Sequence, residues 1–284
     1  AAMPLTFVAT PLGNLRDITL RCLDALREAT LIVAEDTRVA RRLLSALDLP
    51  GRELCSYREQ NAAAVTASIL ERARTESVVF VSDAGMPGIS DPGTELVTAA
   101  RAAGIAVEAL PGPSAVLGVA LLSGFDLQRF TFDGFVPRTA SVRRLAFERA
   151  LLSERTSLWF ESPQRIHATL RDLATIAPDA RIFLLREYTK RFEEQLLGTP
   201  EEVARALADP ARGEIAFAIE ARPAPPIAAL KPEALDALID SALLAGERVA
   251  GIARRLAAAG HGERSAIYAR TVTRKAHTDE RSEP

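Results

Sequence analysis

The sequence predicts a two-domain α/β protein with a helical module at its C-terminal end. Short runs that are apolar at nearly every position alternate with helical segments over the first 124 residues. Strand-like runs lie closer together after Phe125, and a proline-rich stretch then precedes a wholly helical end. Strands that are apolar on both faces are typical of a parallel sheet covered by helices on both sides. We therefore expect a parallel sheet in the N-terminal domain and a mixed sheet in the second.

The N-terminal α/β domain is predicted to span residues 1–124. Its strands are expected at residues 5–9, 31–35, 53–57, 78–83 and 106–110. Helices are expected near residues 18–28, 38–47, 62–74, 94–103 and 114–123. Gly104 follows the fourth of these helices, in the position where a glycine commonly ends a helix. The regular alternation indicates repeated strand–helix units.

The second α/β domain is predicted to span residues 125–221. Its strands are expected at residues 129–135, 157–162, 181–188, 194–198 and 214–221, and its helices near 142–152, 163–176 and 200–208. Residues 222–232 are expected to be a linker, because four prolines in eleven residues stop a helix.

The remaining residues, 233–284, are predicted to form a helical module that resembles a helix-turn-helix. Val249, Ile252, Ala253 and Leu256 recur with the spacing of one helix face, and a glycine turn at residues 259–263 precedes a further helix. Residues 244–277 carry seven arginine or lysine side chains against two glutamates, a net charge of +5. We expect this module to bind RNA; a pair of helices with solvated arginines is the alternative.

The composition predicts a cytoplasmic protein that does not enter a membrane. The chain has 284 residues, 48% of them hydrophobic, and a formal net charge of −2. No apolar run approaches the ~20 residues that a membrane-spanning helix needs. Two cysteines without CxxC spacing and three scattered histidines predict neither a disulfide framework nor a metal site.

Several common classes of enzyme are excluded because their motifs are missing from the sequence. No GxGxxG follows the first strand, so an ordinary dinucleotide site is not expected. Gly-Lys-Ser/Thr, GxSxG and HExxH are absent as well. Their absence argues against P-loop NTPases, α/β-hydrolases and zinc proteases of the usual kinds.

The stretch "SDAGMPGISDPG" at residues 82–93 is predicted to be a loop that surrounds a ligand. It follows an apolar strand and holds three glycines and two prolines, far more than a tight turn requires. Glycines let the backbone approach a ligand closely, and in a parallel sheet ligands bind beyond the carboxyl ends of the strands.

Carboxylates occur at or just past the ends of five apolar strands. These residues are Glu35 with Asp36, Asp83, Glu161, Glu187 and Glu220. Gathered at one sheet edge they would attract a cationic ligand. For any one of them, an acidic residue that merely starts a loop or helix is an equally good interpretation.

Seven motifs occur in one order over residues 5–221. They are "VATPLGNLRDITLRCLDAL", "LIVAEDTRVARRLL", "VSDAGMPGISDPG", "LPGPSAV", "FTFDGFVP", "LWFESPQRI" and "REYTKRFEEQLLGT". In these motifs the chain resembles the tetrapyrrole methylase superfamily, and within it the enzymes that methylate small-subunit ribosomal RNA. The resemblance implies a two-domain tetrapyrrole-methylase-like fold, S-adenosyl-L-methionine as cofactor and a homodimer. It further implies that the acceptor is a cytidine 2′-hydroxyl in the decoding region of 16S ribosomal RNA in the small subunit.

The resemblance also implies which residues bind the cofactor. Residues 85–87 correspond to a Gly-Asp-Pro pattern in relatives, with Met86 in place of the aspartate, so the carboxylate would come from Asp83 or Asp91. The expected cofactor-binding residues are Pro11, Asp83, Ala84, Gly85, Met86, Pro87, Ser114, Ala115, Phe160, Glu161, Glu187 and Glu220.

The expected catalytic residues are Asp36, Glu35, Arg38 and Lys190. A ribose hydroxyl is a weak nucleophile, so a carboxylate within hydrogen-bond reach would help to remove its proton. Asp36 or Glu35 is the expected base, and Arg38 and Lys190 would position phosphate or hydroxyl groups. Asp36 as a helix cap and Lys190 as a solvated charge are the structural alternatives.

Two other functions stay open: a precorrin-type tetrapyrrole methyltransferase and a non-catalytic RNA-binding factor in ribosome assembly.

Overall fold

A computed structural model of the chain describes residues 4–222 and 231–280. The chain divides into two compact units, one ending at Arg222 and the other beginning at Pro223. Most of the predicted linker, residues 223–230, lies outside the described residues, and its last residue, Pro232, already begins a helix. Among the described residues, no helix is both long enough and apolar enough to cross a membrane.

The first unit contains a five-stranded parallel sheet, as predicted. Its strands are β1 (Leu5–Val8), β2 (Leu31–Ala34), β3 (Glu53–Ser56), β4 (Val78–Val81) and β5 (Val107–Leu110), in the order β3-β2-β4-β1-β5. All four strand pairs are parallel. The helix after β1 packs on one face of the sheet and the helix after β4 packs on the other, so the loops after these two neighbouring strands diverge toward opposite faces. Such a divergence is where open α/β sheets bind ligands.

Helices cover both faces of this sheet. A short 3₁₀ helix (Leu15–Asp17) precedes α1 (Leu20–Glu28), and α2 (Thr37–Ala46), α3 (Ala62–Ala73) and α4 (Thr94–Ala102) follow. The fifth helix, α5 (Ala115–Ser123), comes after β5 and packs on the second sheet. Side chains alternate along each strand, so Phe7 and Phe80 pack with α3 and α4 while Val8 and Val81 pack with α1 and α2. The near-continuous apolar strands of the sequence follow from this two-sided burial.

The second sheet is mixed, again as predicted. Its strands are β6 (Phe130–Phe135), β7 (Thr156–Glu161), β8 (Ile182–Arg186), β9 (Glu194–Gly198) and β10 (Ile215–Ile219), in the order β6-β7-β10-β8-β9. Only the β6–β7 pair is parallel. Helices α6 (Ala140–Leu152), α7 (Ile166–Ile176) and α8 (Pro200–Ala206) bury Phe147, Leu170 and Val203 against one face of this sheet.

Helix α5 covers the other face of the second sheet. It lies within residues 1–124, yet Val119 and Ala120 pack against Leu158, Phe183 and Ala218 of the second sheet. A helix that follows the first sheet and packs on the second brings the two sheets together. The cavity described below lies at this junction.

Over residues 231–280, the C-terminal unit forms a module of three helices, α9 (Pro232–Leu244), α10 (Val249–Ala258) and α11 (Arg264–Glu280). Ile252, Ala253 and Leu256 of the predicted apolar stripe are buried in its core. Left-handed Gly260 and Gly262 form the turn between α10 and α11.

Much of the positive charge of the module is balanced by acidic residues inside it. Arg270 Nε donates a hydrogen bond to Asp236 Oδ1 of α9 over 2.6 Å, and Arg274 pairs with Asp240 one turn further along α9. Arg255 pairs with Glu247 over 2.7 Å. The net charge of +5 was counted over residues 244–277 and therefore left out the acidic residues of α9, which pair with arginines of α11.

Candidate functional site

A cavity of about 310 Å³ lies where the loops after β1, β4 and β5 face the second sheet. This volume falls within the range of small-molecule pockets. One wall comes from the first half of the chain, through Leu12, residues 83–86, residues 89–91 and residues 114–116. The other wall comes from the second sheet and its loops, through Phe135, residues 160–163, Leu185, Tyr188 and residues 213–216.

The loops after β1 and β4 are joined by a pair of backbone hydrogen bonds. Thr10 N–H donates to the Gly85 carbonyl over 2.9 Å, and Gly85 N–H donates to the Thr10 carbonyl over 3.0 Å. Gly85 has a left-handed φ of 78°, and a Cβ there would lie 3.1 Å from Leu12 Cδ2. Glycine is needed at this point both for the backbone conformation and for the space above it.

The loop after β5 brings the start of α5 to the cavity. Gly112 lies so close to β1 that a Cβ there would be 2.8 Å from the Ala9 Cβ. Ser114 then caps the helix, since its Oγ accepts a hydrogen bond from Leu117 N–H over 3.3 Å. Ser114 and Ala115 both line the cavity. The partial positive charge of a helix start is therefore next to the cavity and suits an anionic group of a ligand.

The opposite wall depends on the segment after β8. Glu187 and Thr189 both have left-handed φ angles, 53° and 66°. The Tyr188 ring lines the cavity and lies directly against α5, where a Cβ at Gly118 would come within 2.4 Å of the ring. A Cβ at Gly213 would likewise lie 2.4 Å from the Glu187 carboxyl carbon. Gly118 thus leaves room for Tyr188, and Gly213 leaves room for Glu187. The strained segment 187–189 thereby holds Tyr188 in the wall of the cavity.

The lining of the cavity is acidic and apolar. Four carboxylates line it, from Asp83, Asp91, Glu161 and Glu214, whereas no arginine, lysine or histidine is among its described lining residues. Aromatic and aliphatic side chains supply most of the remaining surface, including Phe135, Phe160, Met86 and Val116. This arrangement suits a ligand that has both a flat apolar part and a positive charge.

Eight of the twelve residues expected to bind the cofactor line this cavity. They are Asp83, Ala84, Gly85, Met86, Ser114, Ala115, Phe160 and Glu161. Pro11 and Pro87 each adjoin a lining residue without lining the cavity themselves. Glu187 lies behind the wall, where its Oε1 accepts hydrogen bonds from Lys190 Nζ over 2.8 Å and from Glu214 N–H over 3.0 Å.

Glu220 lies elsewhere, and the expectation that all five acidic strand ends share one edge is wrong for it. Strand β10 runs antiparallel to β7 and β8. The amino end of β10, at Gly213 and Glu214, therefore borders the cavity, and its carboxyl end lies at the opposite edge of the sheet. There Glu220 pairs with Arg181 over 3.3 Å.

Asp36 is held as a helix cap, which corrects its expected role as a free base. Its Oδ1 accepts the Arg38 N–H at the start of α2 over 2.8 Å. Its Oδ2 accepts from Arg38 Nη2 over 2.6 Å and lies 3.2 Å from Arg58 Nη2. The hydrogen bonds from Arg38 and the charge of Arg58 hold the pKa of Asp36 far below its usual range. A carboxylate so stabilised is a weak proton acceptor.

Two of the other three expected catalytic groups, Arg38 and Lys190, are also engaged within the protein. The Arg38 guanidinium is the partner of Asp36, although its side chain is 77% exposed. Lys190 Nζ lies between Glu187 and Glu214, 2.8 and 2.9 Å from their oxygens, so Lys190 ties the cavity wall together. Burial and the nearby Asp83 raise the pKa of Glu35, which does not itself line the cavity.

Sequence reasoning missed several lining residues. Gly213 and Glu214 would have been found if β10 had been recognised as antiparallel, because the residues before such a strand lie at the cavity edge. Phe135 ends β6, which is parallel to β7, so the parallel pairing would have placed it there. Tyr188 was not missed, because the motif resemblance implies the segment 186–189 as part of this wall; its position there depends on contact with Gly118 on a helix 70 residues earlier.

Comparison with known proteins agrees with this fold. Residues 4–204 match the family model described as tetrapyrrole (corrin/porphyrin) methylases. Among solved structures, a diphthine synthase superposes with a TM-score of 0.61 at 16% identity, covering 76% of this chain and 89% of its own. A cobalt precorrin-4 methyltransferase superposes with a TM-score of 0.55 at 18% identity, covering 75% of this chain and 93% of its own. At these identities the likeness is one of fold.

Curated relatives are much more similar in sequence, and three of them carry the name ribosomal RNA small subunit methyltransferase I. The protein of Halalkalibacterium halodurans is 40% identical over 218 residues, 76% of this chain and 75% of the relative. The protein of Thermotoga maritima is 44% identical over 200 residues, which are 70% of this chain and 89% of the relative. That of Mycobacterium tuberculosis is 39% identical over 260 residues, 90% of each. The chain belongs to the tetrapyrrole methylase family, whose members are methyltransferases that use S-adenosylmethionine.

Proposed function

We propose that this protein methylates small-subunit ribosomal RNA, at the 2′-hydroxyl of a cytidine in the decoding region, with S-adenosylmethionine as methyl donor. The observation that carries the proposal is an acidic cavity with no basic residue in the part of its lining that the structure describes, in a chain about 40% identical to enzymes named for this substrate. The choice of the cytidine 2′-hydroxyl rests on the motif resemblance.

The residues of the cavity fit the proposed cofactor. S-adenosylmethionine would supply an activated methyl group on a positively charged sulfur. The lining carboxylates suit that positive charge together with the ammonium group of the amino-acid part. The start of α5, at Ser114 and Ala115, suits its carboxylate. Tyr188, Phe135 and Phe160 offer apolar and aromatic surface for the adenine ring.

The chain's own contribution to catalysis would be positioning and proton removal. The paired backbone bonds of Thr10 with Gly85 and the Lys190 network hold the two walls in place, so little reorganisation is needed at reaction. Apolar side chains exclude water from the region where a hydroxyl would react. A carboxylate at the cavity would take the hydroxyl proton.

Exposed arginines near the cavity could contact the RNA backbone. Helix α2 begins at the carboxyl edge of the first sheet and exposes Arg38, Arg41 and Arg42 on successive turns. Arg16, on the loop after β1, is exposed as well. Arginine contacts to phosphates fix the position of a nucleic acid without reading its sequence.

A cytoplasmic location follows from a ribosomal substrate, and the motif resemblance implies a homodimer. Helix α5 exposes Leu117 and Leu121, which lie on one helix face and offer apolar surface for self-association. Light scattering of the purified protein should report twice the mass of one chain. A monomer at micromolar concentration would contradict the dimer.

An acceptor comparison tests the proposed function against its two rivals. The full chain is incubated with labelled S-adenosylmethionine and with assembled small subunits, naked small-subunit RNA or a precorrin-type tetrapyrrole. We expect label to enter ribosomal RNA and not the tetrapyrrole. Transfer to the tetrapyrrole would favour the precorrin-type enzyme, and RNA binding without any transfer would favour an assembly factor.

A further inference from the structure

Three of the four carboxylates that line the cavity are already committed to protein partners. Asp83 Oδ1 accepts the Asp36 N–H over 3.2 Å. Glu161 is fully buried, pairs with Arg165 and accepts hydrogen bonds from Ser162 N–H and Thr169 Oγ1. Glu214 is paired with Lys190 over 2.9 Å. Glu161 and Glu214 are thereby held against cations, whereas Asp83 accepts only a backbone hydrogen bond, and burial raises its pKa.

Asp91 is the fourth carboxylate, and it is more buried than Asp83, the other one without a cation partner. No described lysine, arginine or histidine forms an ion pair with Asp91, and the nearby Ser82 hydroxyl donates to the carbonyl oxygens of Ala84 and Gly85 over 3.3 and 3.5 Å. Asp91 is partly buried and lines the cavity. A carboxylate in this position can face a ligand without first giving up a cation.

The backbone around Asp91 adopts unusual conformations that fix the position of this residue at the cavity. The preceding residue, Ser90, has a left-handed φ of 63°, which is costly for a residue with a Cβ. Gly88 and Gly93 on either side also have positive φ angles, 82° and 138°. A Cβ at Gly93 would lie 3.2 Å from the Phe7 ring, so the loop is packed down on the sheet just after Asp91. Strain of this kind is typical of functional sites.

The surroundings of Asp91 favour proton uptake. Burial raises its pKa from the ordinary 3.8 to about 6, and the neighbouring charges of Glu35, Asp83 and Glu214 act in the same direction. The nearby Ser82 hydroxyl opposes this rise in the pKa of Asp91 only in part. A carboxyl with a pKa near the working pH is ionised at neutral pH and still basic enough to accept a proton in a transition state.

We propose that Asp91 is the catalytic base that receives the proton of the acceptor hydroxyl, an inference that rests on the proposed function. As the hydroxyl oxygen bonds to the methyl carbon, the carbon–sulfur bond breaks and its electron pair stays on sulfur, while Asp91 takes the hydroxyl proton. The charge balances, because a sulfonium cation and a carboxylate become a neutral thioether and a carboxylic acid. The proton then leaves to solvent when the product departs.

The test compares Asp91→Asn and Asp91→Glu with Asp24→Asn in the full chain. Asp24 is an exposed carboxylate paired with Arg27 on α1 and serves as a matched control. Cofactor affinity is measured by calorimetry, and the single-turnover rate on small subunits is measured at saturating cofactor between pH 5 and 8. Thermal melting confirms that each variant is folded.

We expect Asp91→Asn to slow the single-turnover step by roughly 10²–10⁴-fold while the protein still binds the cofactor. Asp91→Glu should restore part of the rate, and the wild-type rate should fall as pH drops below about 6. A folded Asp91→Asn protein with a near-normal rate would overturn the proposal. So would one that loses only cofactor affinity and regains its rate at saturation. If the wild-type protein itself methylates no ribosomal RNA, it is the proposed function that fails, and the role of Asp91 fails with it.

Discussion

The Lys190 side chain fills the space that a side chain at Gly13 would need. A Cβ on Gly13 would lie 2.2 Å from Lys190 Cγ, and the ammonium at the end of the same lysine is bonded to Glu187 and Glu214. Lys190 therefore crosses from the second sheet to the loop after β1 and is anchored at its far end. This one contact joins both walls of the cavity.

Gly13→Ala should displace Lys190 and loosen the cavity. The backbone at Gly13 is not left-handed, so the cost is steric, and overpacking of this kind typically costs about 1–3 kcal/mol. We expect a lower melting temperature and at least tenfold weaker binding of S-adenosylmethionine. Gly251→Ala is the control, since Gly251 lies in α10 with space for a Cβ and should be neutral or slightly stabilising. Equal behaviour of the two variants would show that the contact has no role.

Gly85→Val should abolish cofactor binding without unfolding the protein. Gly51 has the same φ of 78° but no atom within 4 Å of a built Cβ, so Gly51→Val carries the same backbone strain without the contact to Leu12. Calorimetry should show loss of S-adenosylmethionine binding in Gly85→Val alone. Unchanged affinity in a folded Gly85→Val protein would remove this loop from the cofactor site.

Asp91→Asn should stabilise the protein at neutral pH. The pKa of Asp91 is raised in the folded state, so its ionisation opposes folding, and stability is lost as pH rises from below 4 through about 6. Asparagine removes that penalty, and we expect a gain on the order of 1–3 kcal/mol at pH 7.5. The gain should vanish below pH 4. Urea unfolding at several pH values checks this, and a gain that does not depend on pH would contradict the raised pKa.

The C-terminal module should bind RNA through the basic residues that its own acids leave available. Arg248, Arg254, Arg264 and Lys275 have no acidic partner among the side chains that the structure describes. Replacing Arg254, Arg264 and Lys275 by alanine should weaken subunit binding. The slope of log affinity against log salt should fall by somewhat under one for each phosphate that the variant no longer neutralises.

Cofactor affinity should stay unchanged in this triple variant. A control with Arg101, Arg149 and Arg171 replaced by alanine, all exposed and outside the module, should bind subunits nearly normally. An equal weakening in the control would mean that general charge, not the module, attracts the RNA.

The sequence was sufficient to predict the order of strands and helices and the loops that border the cavity. Side-chain burial and the periodicity of apolar residues determine strands and helices locally, as in the continuous apolar runs of β1 and β4. The glycines of loop 82–93 mark the loop in the same local way. Strand direction in the second sheet depends on pairing between distant segments, and for that reason Glu220 was expected at the wrong edge. The cap that Asp36 forms with Arg38 is local and was the alternative that the sequence offered, but its contact with Arg58 comes from another loop. No local pattern contains such information.

Side-chain partners also decided which acids could act. Asp36 and Asp91 both follow buried strands in glycine- or arginine-rich surroundings, and the sequence alone favoured Asp36. Only the assembled structure shows that Asp36 faces two guanidinium groups whereas Asp91 faces other carboxylates. The same residue type therefore has its pKa shifted in opposite directions at two places beyond the carboxyl edge of the first sheet.

The proposed methylation is tested most directly by mapping the methyl group on the RNA. Small subunits lacking the modification are incubated with the protein and labelled S-adenosylmethionine, and the RNA is digested and analysed by mass spectrometry. We expect one label, on the ribose 2′-oxygen of a cytidine in the decoding region. Label on a base, label spread over many nucleotides, or no label in RNA while the cofactor is consumed on another acceptor would contradict the proposed function.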